Sequence, residues 1–210
     1  MKYSWQSMHL TTADLQRKLQ GVDMSASDVE IRLHNNQLQS PLPAALFETT
    51  TLVLDSNHIA DLEELPTDPQ PRLLKLAAGW NLLGRVPDQI DVFCNLTVLS
   101  LHHNQLTCLP ETLGQLTQLR DLNLGYNQLR SLPNLRPLKE LVTLTLDNNP
   151  LPPQFALAFW LKSETQLIVQ TAAAYYGAQR AVLVWLWMDL LPPELNLIIA
   201  RLIWSGRRGG

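Results

Sequence analysis

Six asparagines at a nearly constant interval constrain this chain more than anything else in it. Asn36, Asn57, Asn81, Asn104, Asn127 and Asn149 are separated by 21, 24, 23, 23 and 22 residues, and each follows one apolar residue by five positions and another by three. The clearest unit reads Leu96-x-x-Leu99-x-Leu101-x-x-Asn104-x-Leu106-x-x-Leu109-Pro110, and the next repeats it from Leu119 through Leu122, Leu124, Asn127, Leu129, Leu132 and Pro133. Leu73, Leu76, Ala78, Asn81 and Leu83 form a third copy, with Leu141, Leu144, Leu146, Asn149 and Leu151 closing the series. Shorter copies run through Ile31, Leu33, Asn36 and Leu38, then Leu52, Leu54, Asn57 and Ile59. A fixed period of this length means stacked structural units, each burying its apolar face against its neighbours.

Within a unit, Leu-x-Leu places two leucines on one side of a short strand, so stacking builds a continuous leucine column and the intervening residues face the other way. The asparagine at the strand end is expected to bond backbone groups of the bend in its own unit and in the next. This pattern resembles the leucine-rich repeat family, in its intracellular form with a Leu-Pro pair in the outer half of each unit. The resemblance implies an α/β solenoid of six repeats over residues 28–151, with a curved parallel sheet on its concave face. It also implies protein binding and no catalysis.

Both ends of such a stack need covers. Thr11-Thr12-Ala13-Asp14 is a capping-box sequence that opens a short helix, whose Leu15, Leu19 and Val22 cover the first repeat from within a segment spanning 1–27; an interaction arm is the alternative. Residues 152–210 leave the period and contain four of the six tryptophans, reading as a helical cap or interaction module. A stretch apolar on every face, Ala181–Met188, is interrupted by Arg180 and Asp189, too short for a membrane span. The stripe Leu195, Ile198, Ile199 and Leu202 follows, and either closes the solenoid or docks on a partner. Leu191-Pro192-x-Glu194-Leu195-x-x-x-Ile199 resembles the opening of an F-box. That resemblance implies the alternative function, a substrate-recognition adaptor bound to a ubiquitin-ligase subunit, although the second half of an F-box is absent.

Alternation also assigns the residues of the concave face, at the third, fifth, seventh and eighth positions of each unit. The eighth column, Asn35, Ser56, Trp80, His103, Tyr126 and Asn148, carries aromatic or heteroaromatic rings in three consecutive units. At strand spacing Trp80, His103 and Tyr126 form a strip beside the small residues Gly79 and Gly125; it either packs against following loops or is the binding hot spot, and the second reading is adopted. Lys75, His102 and Asp121 are expected to support it.

Other chemistries find little here. With a formal charge of −3 the chain lacks the basic footprint of a nucleic-acid binder. His102-His103 are adjacent strand residues whose side chains diverge, and His34 lies three repeats away, so no metal site is expected. No phosphate-binding, zinc-protease or nucleophile-elbow motif is present, and neither an enzymatic function nor a cofactor is expected. Two cysteines, Cys94 and Cys108, and no apolar leader imply a reducing compartment, the cytoplasm or the nucleus.

Overall fold

The computed structural model describes residues 1–62, 65–66, 72–135 and 137–151. Every three-residue segment carrying the repeat's central leucine or isoleucine is a strand: β2 (Glu30–Arg32), β3 (Thr51–Val53), β4 (Lys75–Ala77), β5 (Val98–Ser100), β6 (Asp121–Asn123) and β7 (Thr143–Thr145). They pair in parallel and in chain order, as units with a constant period must. Register aligns Glu30, Thr51, Lys75, Val98, Asp121 and Thr143 in one row, and Arg32, Val53, Ala77, Ser100, Asn123 and Thr145 in another. These are the third and fifth columns read from alternation. The chain is an α/β solenoid.

Between the rows lie Ile31, Leu52, Leu76, Leu99, Leu122 and Leu144, all buried, with Leu33, Leu54, Leu101 and Leu124 below them. The return path to the next strand contains short 3₁₀ turns at Ala44–Glu48, Asp88–Val92 and Glu111–Gln115. Each is preceded by a proline, Pro43, Pro87 or Pro110, whose fixed φ starts the turn and whose missing N–H is not needed there. Phe47 and Phe93 meet in the core with ring centroids 5.5 Å apart.

The asparagines do bridge units, but in the direction opposite to the one expected. Asn104 donates through Nδ2 to the carbonyls of Leu101, in its own unit, and Ala78, in the preceding one, while its Oδ1 accepts from Leu83 N–H, also in the preceding unit. Asn127 does the same with Leu124, Leu101 and Leu106. The side chain reaches back because the chain leaves the strand past the bend of the unit already formed, where carbonyls and an N–H have lost their strand partners.

The amino-terminal segment holds more than a helix. Lys2–Ser4 forms β1, parallel to β2, so among the described residues the sheet has seven strands where six repeats were expected. Tyr3 and Trp5 stand where other units have leucines, and Asn36 donates to Trp5 O while accepting from Met8 and Leu10 N–H, treating this segment as one more unit. Helix α1 (Thr12–Leu19) follows, with Thr11 as N-cap in a capping box with Asp14; Leu15 is fully buried, and Leu19 and Val22 pack partly buried against the core. The expectations for residues 152–210, including the covering helices and the F-box-like stripe of Leu195, Ile198, Ile199 and Leu202, lie outside the described residues. Among the described residues no helix is long and apolar enough to cross a membrane.

Candidate functional site

Each strand is followed by a bend that needs one residue in the left-handed region. All six residues of the eighth column, Asn35, Ser56, Trp80, His103, Tyr126 and Asn148, have φ between 51° and 57°. Their N–H groups explain the need: Trp80 N donates to His102 O at 2.9 Å, His103 N to Gly125 O at 2.9 Å and Tyr126 N to Asp147 O at 2.7 Å, extending the sheet by one rung. Asparagine tolerates this conformation, but bulky side chains do not, at a cost of roughly 1–2 kcal/mol each. The chain nevertheless places a tryptophan, a histidine and a tyrosine there in consecutive units.

Their rings stack face to face. Trp80 and His103 lie with centroids 3.6 Å apart and planes 10° apart, and His103 and Tyr126 at 4.0 Å and 11°. The imidazole is therefore sandwiched, while Trp80 and Tyr126 remain 55% and 47% exposed. Two stacking contacts return about 0.5–1.5 kcal/mol each beyond the ring area they bury, which works against the cost of the three left-handed residues. The rings pack on one another and form a ridge. Desolvation between the rings holds the His103 imidazole below its usual 6.5, with His102 reinforcing the shift and Asp147 opposing it. The middle of the ridge is thus biased to neutrality.

His102 turns the other way from its neighbour, meeting it edge-on at 76°, and its Nδ1 lies 3.0 Å from Ser100 Oγ. Its ring occupies the space a side chain at position 79 would need, since a Cβ on Gly79 would come within 2.2 Å of it. Gly125 makes the corresponding room for Asp147, whose Oδ1 would lie 2.6 Å from a Cβ there. Lys75 and Asp121 are not brought to the ridge. They occupy the first residues of β4 and β6, and among the described residues no hydrogen bond or ring contact joins them to it. Among the described residues there is also no group of histidine, cysteine, aspartate or glutamate side chains disposed to hold a metal.

Position-by-position reading names the residues of a second feature but does not reveal it. A cavity of about 530 Å³ opens on the same face, with Glu30, Arg32, His34, Asp55, Ser56 and Lys75 among its walls. Lys2 and Arg32 both bond Glu30 and hold its carboxyl below the ordinary 4.5. His34 Nδ1 is buried without a hydrogen-bond partner, and Asp55 Oδ1 accepts from the backbone N–H of Gly79 at 2.6 Å. The signal available beforehand was the seventh column, where Asp55 precedes Gly79 and Asp147 follows Gly125.

A family model described as leucine-rich repeats in two copies matches residues 94–137. Among solved structures, a leucine-rich repeat protein of Leptospira interrogans is 34% identical, covers 66% of this chain and superposes with a TM-score of 0.59. The array is built of leucine-rich repeats. The chain spans 36% of the Leptospira protein's length, so the likeness concerns the array. The ectodomain of the Arabidopsis thaliana receptor kinase GASSHO1/SCHENGEN3, solved in complex with Casparian strip integrity factor 2, is also 34% identical; the alignment covers 58% of this chain and 16% of that one, with a TM-score of 0.49. No curated protein shows significant similarity in sequence.

Proposed function

We propose that this protein is a non-catalytic interaction module that holds a protein partner on the concave face of the array, along the ridge of Trp80, His103 and Tyr126. The observation that carries the reading is the ridge itself: three bulky rings kept at positive φ, the outer two left about half exposed. Clustered aromatic side chains in a polar surround are what the centres of binding interfaces are made of. Stacking also preorders the rings, so little side-chain entropy is lost when a partner settles on them. The exposed free thiols of Cys94 and Cys108 suit a reducing compartment, and the proposed setting is the cytoplasm or the nucleus.

The test is affinity capture from a cytosolic extract with the native chain and with a Trp80→Ala/Tyr126→Ala variant. Substitution at these exposed positions should leave the fold intact while removing the captured protein. Identical capture by both would overturn the assignment.

A further inference from the structure

The stack has two outer faces, and a carboxylate lies against the residue that precedes each outer ring. Trp80 gives one face to His103, so its other face is turned toward the unit of Ser56; Tyr126 likewise turns its free face toward the unit of Asn148. On the Trp80 side, Asp55 is anchored through Oδ1 to the N–H of Gly79, the residue immediately before the indole, and among the described residues its other oxygen accepts nothing. On the Tyr126 side, Asp147 lies over Gly125, the residue immediately before the phenol. Its Oδ1 is buried and has no partner, and its Oδ2 has only Asn148 Nδ2 at 3.4 Å. An unpaired buried carboxylate oxygen is costly unless a donor arrives.

The two ends therefore share one chemistry, an aromatic face with a carboxylate at its margin. Charge on the face agrees. Glu30 is paired with both Arg32 and Lys2, and away from that cluster the outward-facing residues of the third, fifth and seventh columns carry Asp55, Asp121 and Asp147 against Lys75. A guanidinium fits this combination best, because its plane stacks on a ring while its N–H fork reaches a carboxylate in the same plane. Stacking distances of 3.6 and 4.0 Å, with one further layer at each end, put two such cations roughly 15 Å apart, which is about four residues of extended chain.

We propose that the ends of the stack are two cation seats, Trp80 with Asp55 and Tyr126 with Asp147, and that the partner is an extended segment presenting two arginines about four residues apart. The proposal rests on the interaction reading above and specifies its chemistry. The neutral imidazole between the seats adds no charge to repel such a ligand.

Isotope-labelled full-length protein titrated with a synthetic peptide carrying two arginines four residues apart tests it, read at the Trp80 indole N–H. The expected result is saturable binding, weakened about tenfold or more when both arginines are replaced by glutamine, and about fivefold by either Asp55→Asn or Asp147→Asn. Asparagine at 55 still accepts from Gly79 N–H, and unchanged thermal unfolding of each variant would show that the fold is retained. Absence of saturable binding, equal binding of the glutamine peptide, or indifference to both asparagine variants would overturn the proposal. Affinity capture separates the two readings. Loss of the captured protein with Trp80→Ala/Tyr126→Ala but not with Asp55→Asn/Asp147→Asn would leave the interaction module standing and remove the cation seats, whereas capture insensitive to both pairs would remove both.

Discussion

The asparagines show how much one side chain can settle. Asn104 donates to the carbonyls of Leu101 and Ala78, each shared with a neighbouring asparagine, and alone accepts from Leu83 N–H, all in buried bonds. Asn104→Ala should therefore cost about 1–3 kcal/mol, because Leu83 N–H is left buried and unpaired, while Asn81 and Asn127 still donate to the carbonyls of Ala78 and Leu101. Denaturant unfolding measures this, and a loss below about 0.5 kcal/mol would contradict the assignment. His103 makes a second prediction, about pH. Its folded value lies below the usual 6.5, so the unfolded chain takes up the proton first, and the contribution is present above 6.5 and lost as pH falls through the folded value. His103→Asn, which keeps a residue tolerant of the left-handed bend, should flatten the fall in unfolding temperature as pH is lowered from 6.5. An unchanged profile would show that the sandwiched imidazole does not titrate as its surroundings demand.

At the scale of the element, the return turns bring neighbouring units into contact on the side away from the sheet. Gly114, in the turn Glu111–Gln115, has no room for a side chain: a Cβ there would lie 2.5 Å from the carbonyl oxygen of Asn134 in the next unit. The obstacle is backbone, so it cannot swing aside as the His102 ring can over Gly79. Gly114→Ala should destabilise by about 1–3 kcal/mol, by forcing two units apart. Gly84 is the control, since a Cβ there meets nothing within 4 Å, and Gly84→Ala should change stability little. Comparable unfolding midpoints for the two variants would remove the argument. The two glycines sit at different positions of the repeat, before Pro87 and after Pro110, but the carbonyl that makes one of them crowded belongs to the following unit and is not read from either local sequence.

For the array as a whole, stability is transmitted from unit to neighbouring unit, so position in the stack matters more than the geometry of any one hydrogen bond. Trp5 N donates to Arg32 O and Leu101 N donates to Asn123 O, both at 2.8 Å. The first belongs to the end strand's unit, with one neighbour, and the second to the interior. Amide exchange should accordingly be faster at Trp5 than at Leu101. Equal protection would mean that the described array opens only as one body. Acid should widen the difference, since Lys2 ties β1 to Glu30, and that contribution, present above the ordinary 4.5, is lost as pH falls through the carboxylate's lowered folded value.

The amino-acid sequence by itself determined the repeat, the leucine column, the strand register and the residues of the open face, because each depends on a pattern local to one unit and stated again in the next. Alternation put Trp80, His103 and Tyr126 in one column without coordinates. Tertiary structure decided what crosses between units. The backward reach of the asparagines, the pairing of β1, whose Tyr3 and Trp5 replace the leucine signature, the stacking of the three rings and the placement of Asp55 and Asp147 at the ends of that stack all depend on rotamers and on backbone groups a whole repeat away. Such partners lie some twenty residues apart in the chain and meet only when one unit is laid against the next, so no local pattern encodes which of them will touch.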